Sequence, residues 1–235
     1  MSEQSKAFGR KSAQTEPAGE TAGRSSRASR PARHVPLESQ TDRRRAQLIR
    51  AAALVIESEG VDGLRMAEVA RVAGCARQLV HGYFAGREDL LRAVAVDFDR
   101  KLQRKLDGTD DLVIDRHTFD PDRLKVWGRR MVSAVWDLVE EEGPAGVILM
   151  ATPHVGGTVT DQVGQLRKRV VSHVQTVVPI RGDAEMVVEL WITTLYRLAA
   201  ERRAGQLSRD EGRSRLVGYC GSVLRAFAQP HGEKR

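Results

Sequence analysis

Only two cysteines occur in the 235 residues, Cys75 and Cys220, too few for a disulfide framework and without metal-ligand spacing. Both read as small buried apolar groups. No apolar run reaches the roughly 18 residues needed to cross a bilayer, and the opening residues lack the apolar segment of a signal peptide, so the cytoplasm is the expected location. Six histidines, His34, His81, His117, His154, His173 and His231, are scattered without an HExxH, a nucleophile elbow, a phosphate-cradling glycine loop or a paired-thiol motif. The acidic stretch DGTDDLVID, residues 107–115, lacks the spacing of a calcium loop. An enzyme is therefore disfavoured, and no metal or cofactor is expected.

What is present is a chain with 41% hydrophobic and 29% charged residues, enough for one or two packed domains. The net charge of +7 fits a polyanionic partner. Location matters more than the total: residues 41–100 hold ten basic and nine acidic residues, whereas Arg24 to Arg50 includes eight arginines against Glu38 and Asp42. That segment favours attraction to phosphates through counterion release. Residues 1–38 are rich in Ser, Ala, Gly, Gln and Arg and have almost no large apolar side chain, so the composition predicts a disordered tail. Two readings stay open for it, a solvated tail over residues 1–22 and a basic arm on DNA for Arg24, Arg27, Arg30 and Arg33.

Apolar spacing predicts about nine helices and no sheet. The first runs from Thr41, as N-cap, to about Glu59, where Gly60 stops it; Val61 to Leu64 form a turn, with Leu64 plugging a small core. In MAEVARVAGCARQLVHGYF, residues 66–84, Met66, Val69, Ala70 and Ala73 share one helical face, and Gly74 suits the residue past the helix end. Val80, Tyr83 and Phe84 pattern a second short helix, with Arg77, Gln78 and His81 on its other side. This is the layout of a helix-turn-helix, whose second helix presents its first residues to base edges in the major groove. A third helix opens near Gly86 and continues through Leu91, Val94, Phe98 and Leu102. Further helices follow from Pro121, over Ala145 to Ala151, from Val159 to Pro179, from Asp183 to Ala204 with Met186 and Leu190 in a wide apolar face, and after the capping box Ser208 to Glu211.

Residues 44–94, RRAQLIRAAALVIESEGVDGLRMAEVARVAGCARQLVHGYFAGREDLLRAV, resemble the DNA-binding domain of TetR-family transcriptional regulators. The Ala51-Ala52 pair, Gly60, Met66 to Ala70, Ala73-Gly74, Tyr83-Phe84, Arg87 and Leu90-Leu91 carry the likeness, over about a fifth of the chain. Arg65 and Ala76 stand where the family usually has a capping Ser or Thr, His81 replaces a tyrosine and Leu79 a small hydroxyl residue. The resemblance implies an all-α protein with a helix-turn-helix domain at residues 39–88, a ligand-binding and dimerisation bundle at 89–229, and a tail at 230–235. Residues 183–204 and 208–228 would pair with a second copy, the alternative being that both faces close the monomer core.

Arg77 and Gln78 are positioned to read guanine and adenine edges. Leu79 either touches a thymine methyl or packs on the preceding helix. His81 and Tyr83 suit phosphate or groove-edge contacts, with a solvated histidine as the alternative for His81. Arg87 and the basic run Arg43, Arg44 and Arg45 suit phosphates. By resemblance, a small, largely apolar effector among the middle helices would release the protein from a palindromic operator, and Trp127, Met131, Trp136, His154 and His173 are the candidate lining residues. The competing expectation is a DNA-binding or partner-docking protein with a filled core and no ligand.

Overall fold

The computed structural model describes residues 40–107, 121–152, 157–178 and 183–227. Among them the chain forms nine helices and no strand: α1 (Gln40–Gly63), α2 (Met66–Ala73), α3 (Arg77–Tyr83), α4 (Arg87–Asp107), α5 (Pro121–Glu142), α6 (Ala145–Ala151), α7 (Gly157–Val177), α8 (Ala184–Arg203) and α9 (Arg209–Phe227). The expected N-terminal tail, most of the acidic stretch after Asp107, His154 and the C-terminal tail lie outside the described residues.

Leu48, Ala52, Val55 and Ile56 recur at helical spacing on α1 and are fully buried against its neighbours. Gly60 interrupts the helix with φ 76° and ψ 178°, a conformation that a Cβ would strain, and one more turn follows. The turn expected from Val61 is therefore helical, and Leu64 plugs the core behind it with 1% of its surface exposed. Thr41, expected as the N-cap, lies inside a helix that already begins at Gln40.

Gly74 ends α2 in the left-handed region at φ 64°, while the Cys75 N–H donates to the Ala70 carbonyl over 3.0 Å. This turn sets the angle between α2 and α3. Neither Arg65 nor Ala76 caps the helix it precedes. α3 has seven residues and is held by Val80 and the following Phe84, both essentially buried.

α4 has 21 residues, a rod of about 30 Å, and buries Leu90, Leu91, Val94, Phe98 and Leu102 along one side. It packs on α1 and then on α5, α6 and α7, so one element spans from the N-terminal helices into the bundle. Salt bridges fix it there: Lys101 lies 2.8 Å from Asp97 and also pairs with Glu142, and Lys105 lies 2.8 Å from Glu141.

α5 packs along α9, where Gly212 lets the Trp136 ring sit where a Cβ would otherwise be. Asp137 pairs with Arg209 at 2.7 Å and with Arg213, and Glu140 with Arg202 at 3.3 Å. Asp183 caps α8 by accepting from the amides of Glu185 and Met186. The capping box at α9 is formed in both directions, the Glu211 N–H donating to the Ser208 hydroxyl and the Ser208 N–H to the Glu211 carboxylate. Those contacts hold the Glu211 carboxyl below its ordinary value. Met186 and Leu190 do not join the core face expected for them; with Tyr196 and Tyr219 they are exposed on α8 and α9.

Candidate nucleic-acid interface and ligand cavity

The outward face of α3 is set by Val80. Because it is completely buried, the opposite side of α3 is turned outward, and Arg77, Gln78 and His81 are exposed there while Leu79 is half-buried. The Arg77 Nε donates to His81 Nε2 over 3.3 Å, one turn further along the helix. Tyr83, half-buried, joins Arg43 and Arg44 around one shallow cleft between α3 and the start of α1. Arg44 donates to the Gln47 side chain over 2.7 Å, and Gln47 in turn donates to the Ala73 carbonyl over 3.2 Å, tying α1 to the end of α2. Arg45 stacks its guanidinium 5.0 Å from the centre of the Phe84 ring. The arginine run and the exposed side of α3 thus form one basic surface.

Arg87 departs from the expectation of a phosphate contact. Its Nε donates to the Leu64 carbonyl over 3.2 Å and a terminal nitrogen to the Val61 carbonyl over 2.8 Å, with Asp62 at 3.8 Å. The guanidinium therefore turns toward the end of α1. Arg87 pins the turn between α1 and α2 to the first turn of α4.

In the bundle, an apolar cavity of about 70 Å³ lies between α4, α5, α6, α7, α8 and α9. Met131 and His173 line it. Trp127 and Trp136 do not: Trp127 is fully buried beside the His173 ring, 6.3 Å between centroids, and Trp136 is packed against Gly212. Phe98, Leu102, Met150, Trp191 and Cys220 line the cavity and were not singled out from the sequence. Their helical spacing marked most of them as core, but spacing does not tell which core side chains leave a gap. No Asp, Glu, Lys or Arg is among the lining residues. Burial pushes the Cys220 thiol up to about 12, so it stays protonated and unreactive. The indole N–H of Trp191 finds no acceptor among the described residues.

Residues 48–94 match the family model of bacterial regulatory proteins, tetR family. Over those residues the chain is similar to that family. No curated protein matches it. Solved structures similar in fold include the TetR family transcriptional regulator PfmR from Thermus thermophilus, at 15% identity, TM-score 0.55, with 85% of this chain and 100% of that one covered. The transcriptional regulator FadR from Bacillus subtilis, in complex with stearoyl-CoA, is similar at 16% identity, TM-score 0.52 and coverages of 80% and 99%. A TetR-like transcriptional regulator from Rhodococcus sp. RHA1 is similar at 14% identity, TM-score 0.53 and coverages of 77% and 93%. No helix among the described residues of this chain is long and apolar enough to cross a membrane.

Proposed function

We propose that the protein is a cytoplasmic repressor that binds a palindromic operator as a homodimer and leaves it when a small, largely apolar molecule enters the bundle. The observation that carries this reading is the exposure of Arg77 and Gln78 on α3 above the buried Val80, flanked by the basic start of α1. Arginine to guanine and glutamine to adenine each supply roughly 1–3 kcal/mol of discrimination when bidentate. Residues 39–88 act as the reading domain and 89–229 as the sensing and pairing domain. Met186 and Leu190 on α8 and Tyr219 on α9, all exposed, supply apolar surface for pairing through residues 183–204 and 208–228. A two-fold pair addresses two half-sites one helical turn apart.

The cavity supports the ligand reading through its chemistry and its size. At about 70 Å³ it is smaller than the roughly 150 Å³ that holds benzene, so an occupant must displace its walls. A molecule that fits only the displaced arrangement binds the two conformations unequally, which is the condition for switching. The stearoyl-CoA complex of FadR supports an apolar effector in a protein of the same fold. The small volume also favours a second reading, a filled core and DNA binding without a ligand.

Selection of duplexes from a random pool by the full-length protein tests the proposal. The expected product is an inverted repeat with half-sites about 10 bp apart; enrichment of no sequence refutes it. A thermal-shift screen with small apolar molecules then separates the two readings, since any bound effector raises the melting temperature by mass action.

A further inference from the structure

Glu57 lies on α1, the helix that supports the reading pair, yet its carboxylate engages the joint between α5 and α6. α5 ends at Gly143, in the left-handed region at φ 84°. A Cβ built on Gly143 would fall on the Glu57 carboxylate, so that close approach requires glycine. Pro144 precedes α6 and offers no capping side chain. Glu57 supplies the acceptor instead, taking the backbone N–H of Ala145. One residue further on, Gly146 lies so close to Phe98 of α4 that a Cβ there would enter the ring. Phe98 and Met150, the latter also on α6, are both lining residues of the apolar cavity. Contacts therefore run without a break from the cavity through α6 to α1.

The carboxylate is half-buried, and its desolvation raises the Glu57 pKa, an effect opposed by the charge of Arg203 and by the Ala145 amide. Holding a charge in that position costs stability, which an apolar side chain packed against α6 would not. What the carboxylate adds is a directional hydrogen bond between two elements.

We infer that Glu57 is a positioning residue that couples the DNA-reading helices to the wall of the ligand cavity. The inference rests on the ligand-released repressor reading above. Coupling between two binding sites is reciprocal. If an occupant that displaces α6 pulls on α1, then DNA held by α3 must in turn steady α6.

Amide hydrogen exchange on the full-length protein tests this, with and without a duplex that the wild type has selected. On duplex binding, wild-type amides over residues 145–151 are expected to exchange several-fold more slowly, although α6 itself does not touch DNA. Glu57→Ala is expected to bind the duplex and lose that slowing. Glu57→Gln, which keeps an acceptor oxygen at the same reach, is expected to restore it, whereas a contact serving only local stability would alter exchange in free and bound protein alike. Equal slowing in Glu57→Ala overturns the inference. So does a wild type that binds duplex with slowing confined to α1, α2 and α3, a result that needs no variant to fold and leaves the regulator reading intact. A wild type that binds no duplex overturns both, and shows itself in the binding titration before exchange is measured.

Discussion

Replacing Arg87 with methionine separates two roles that make opposite predictions. The guanidinium donates to the carbonyls of Leu64 and Val61. Val61 keeps a second donor, the Leu64 N–H at 3.2 Å, so the variant leaves one carbonyl short of a partner and another only half served. Hydrogen bonds to a charged donor contribute about 1.5–3 kcal/mol each. The Arg87 side chain is 37% exposed, so water partly replaces what is lost. A net loss of about 2 kcal/mol follows, which in a fold of this size lowers the melting temperature by roughly 4–8 °C. The same variant is then titrated with duplex DNA over a range of salt. If Arg87 held a phosphate, its removal would flatten the slope of log affinity against log salt by about 0.9. The structure predicts a lower melting temperature and an unchanged slope. An unchanged melting temperature with a flattened slope would refute the clamp.

Other outcomes test other parts of the molecule. Ala76→Ser places a hydroxyl on an extended N-cap that now has none, and should stabilise the protein by about 1 kcal/mol, seen as a rise of about 2–4 °C in thermal melting. Gly212→Ala drives a methyl into the Trp136 ring and should cost about 1–3 kcal/mol in urea unfolding. Burial raises the folded-state pKa of Glu57, so its contribution favours folding below the ordinary value of 4.5 and is lost as pH rises through the folded value. Glu57→Gln should therefore melt above wild type near neutral pH, with the gap closing as the pH falls toward 4.5; a constant gap would contradict the assignment.

The parts of this molecule legible in the sequence are those set by local backbone chemistry. Gly74, followed by a short amphipathic run, marked the turn between α2 and α3, and Ser208 with Glu211 marked the start of α9, because each motif contains both the donor and the acceptor it needs. The lack of side-chain caps at Arg65 and Ala76 was equally visible. Long side chains were less so. The sequence places Arg87 at the first turn of α4 but not the direction its guanidinium takes, which depends on carbonyls more than twenty residues away. Met186 and Leu190 extend an apolar stripe wider than one neighbouring helix can cover, so periodicity counted them as core. Trp127 and Trp136 were expected at the cavity by resemblance, whereas a cavity forms where side chains fail to meet, a property of the packed whole. Glu57 reads as a solvated helix position until α6 is seen against it.

Titration of wild type and Arg77→Ala against the selected duplex and a scrambled one tests most directly the proposal that α3 reads DNA through Arg77 and Gln78. Wild type should prefer the selected duplex at every salt concentration, and Arg77→Ala should lose roughly 1–3 kcal/mol of that preference while keeping a similar salt slope. An Arg77→Ala protein that discriminates as well as wild type would contradict the account.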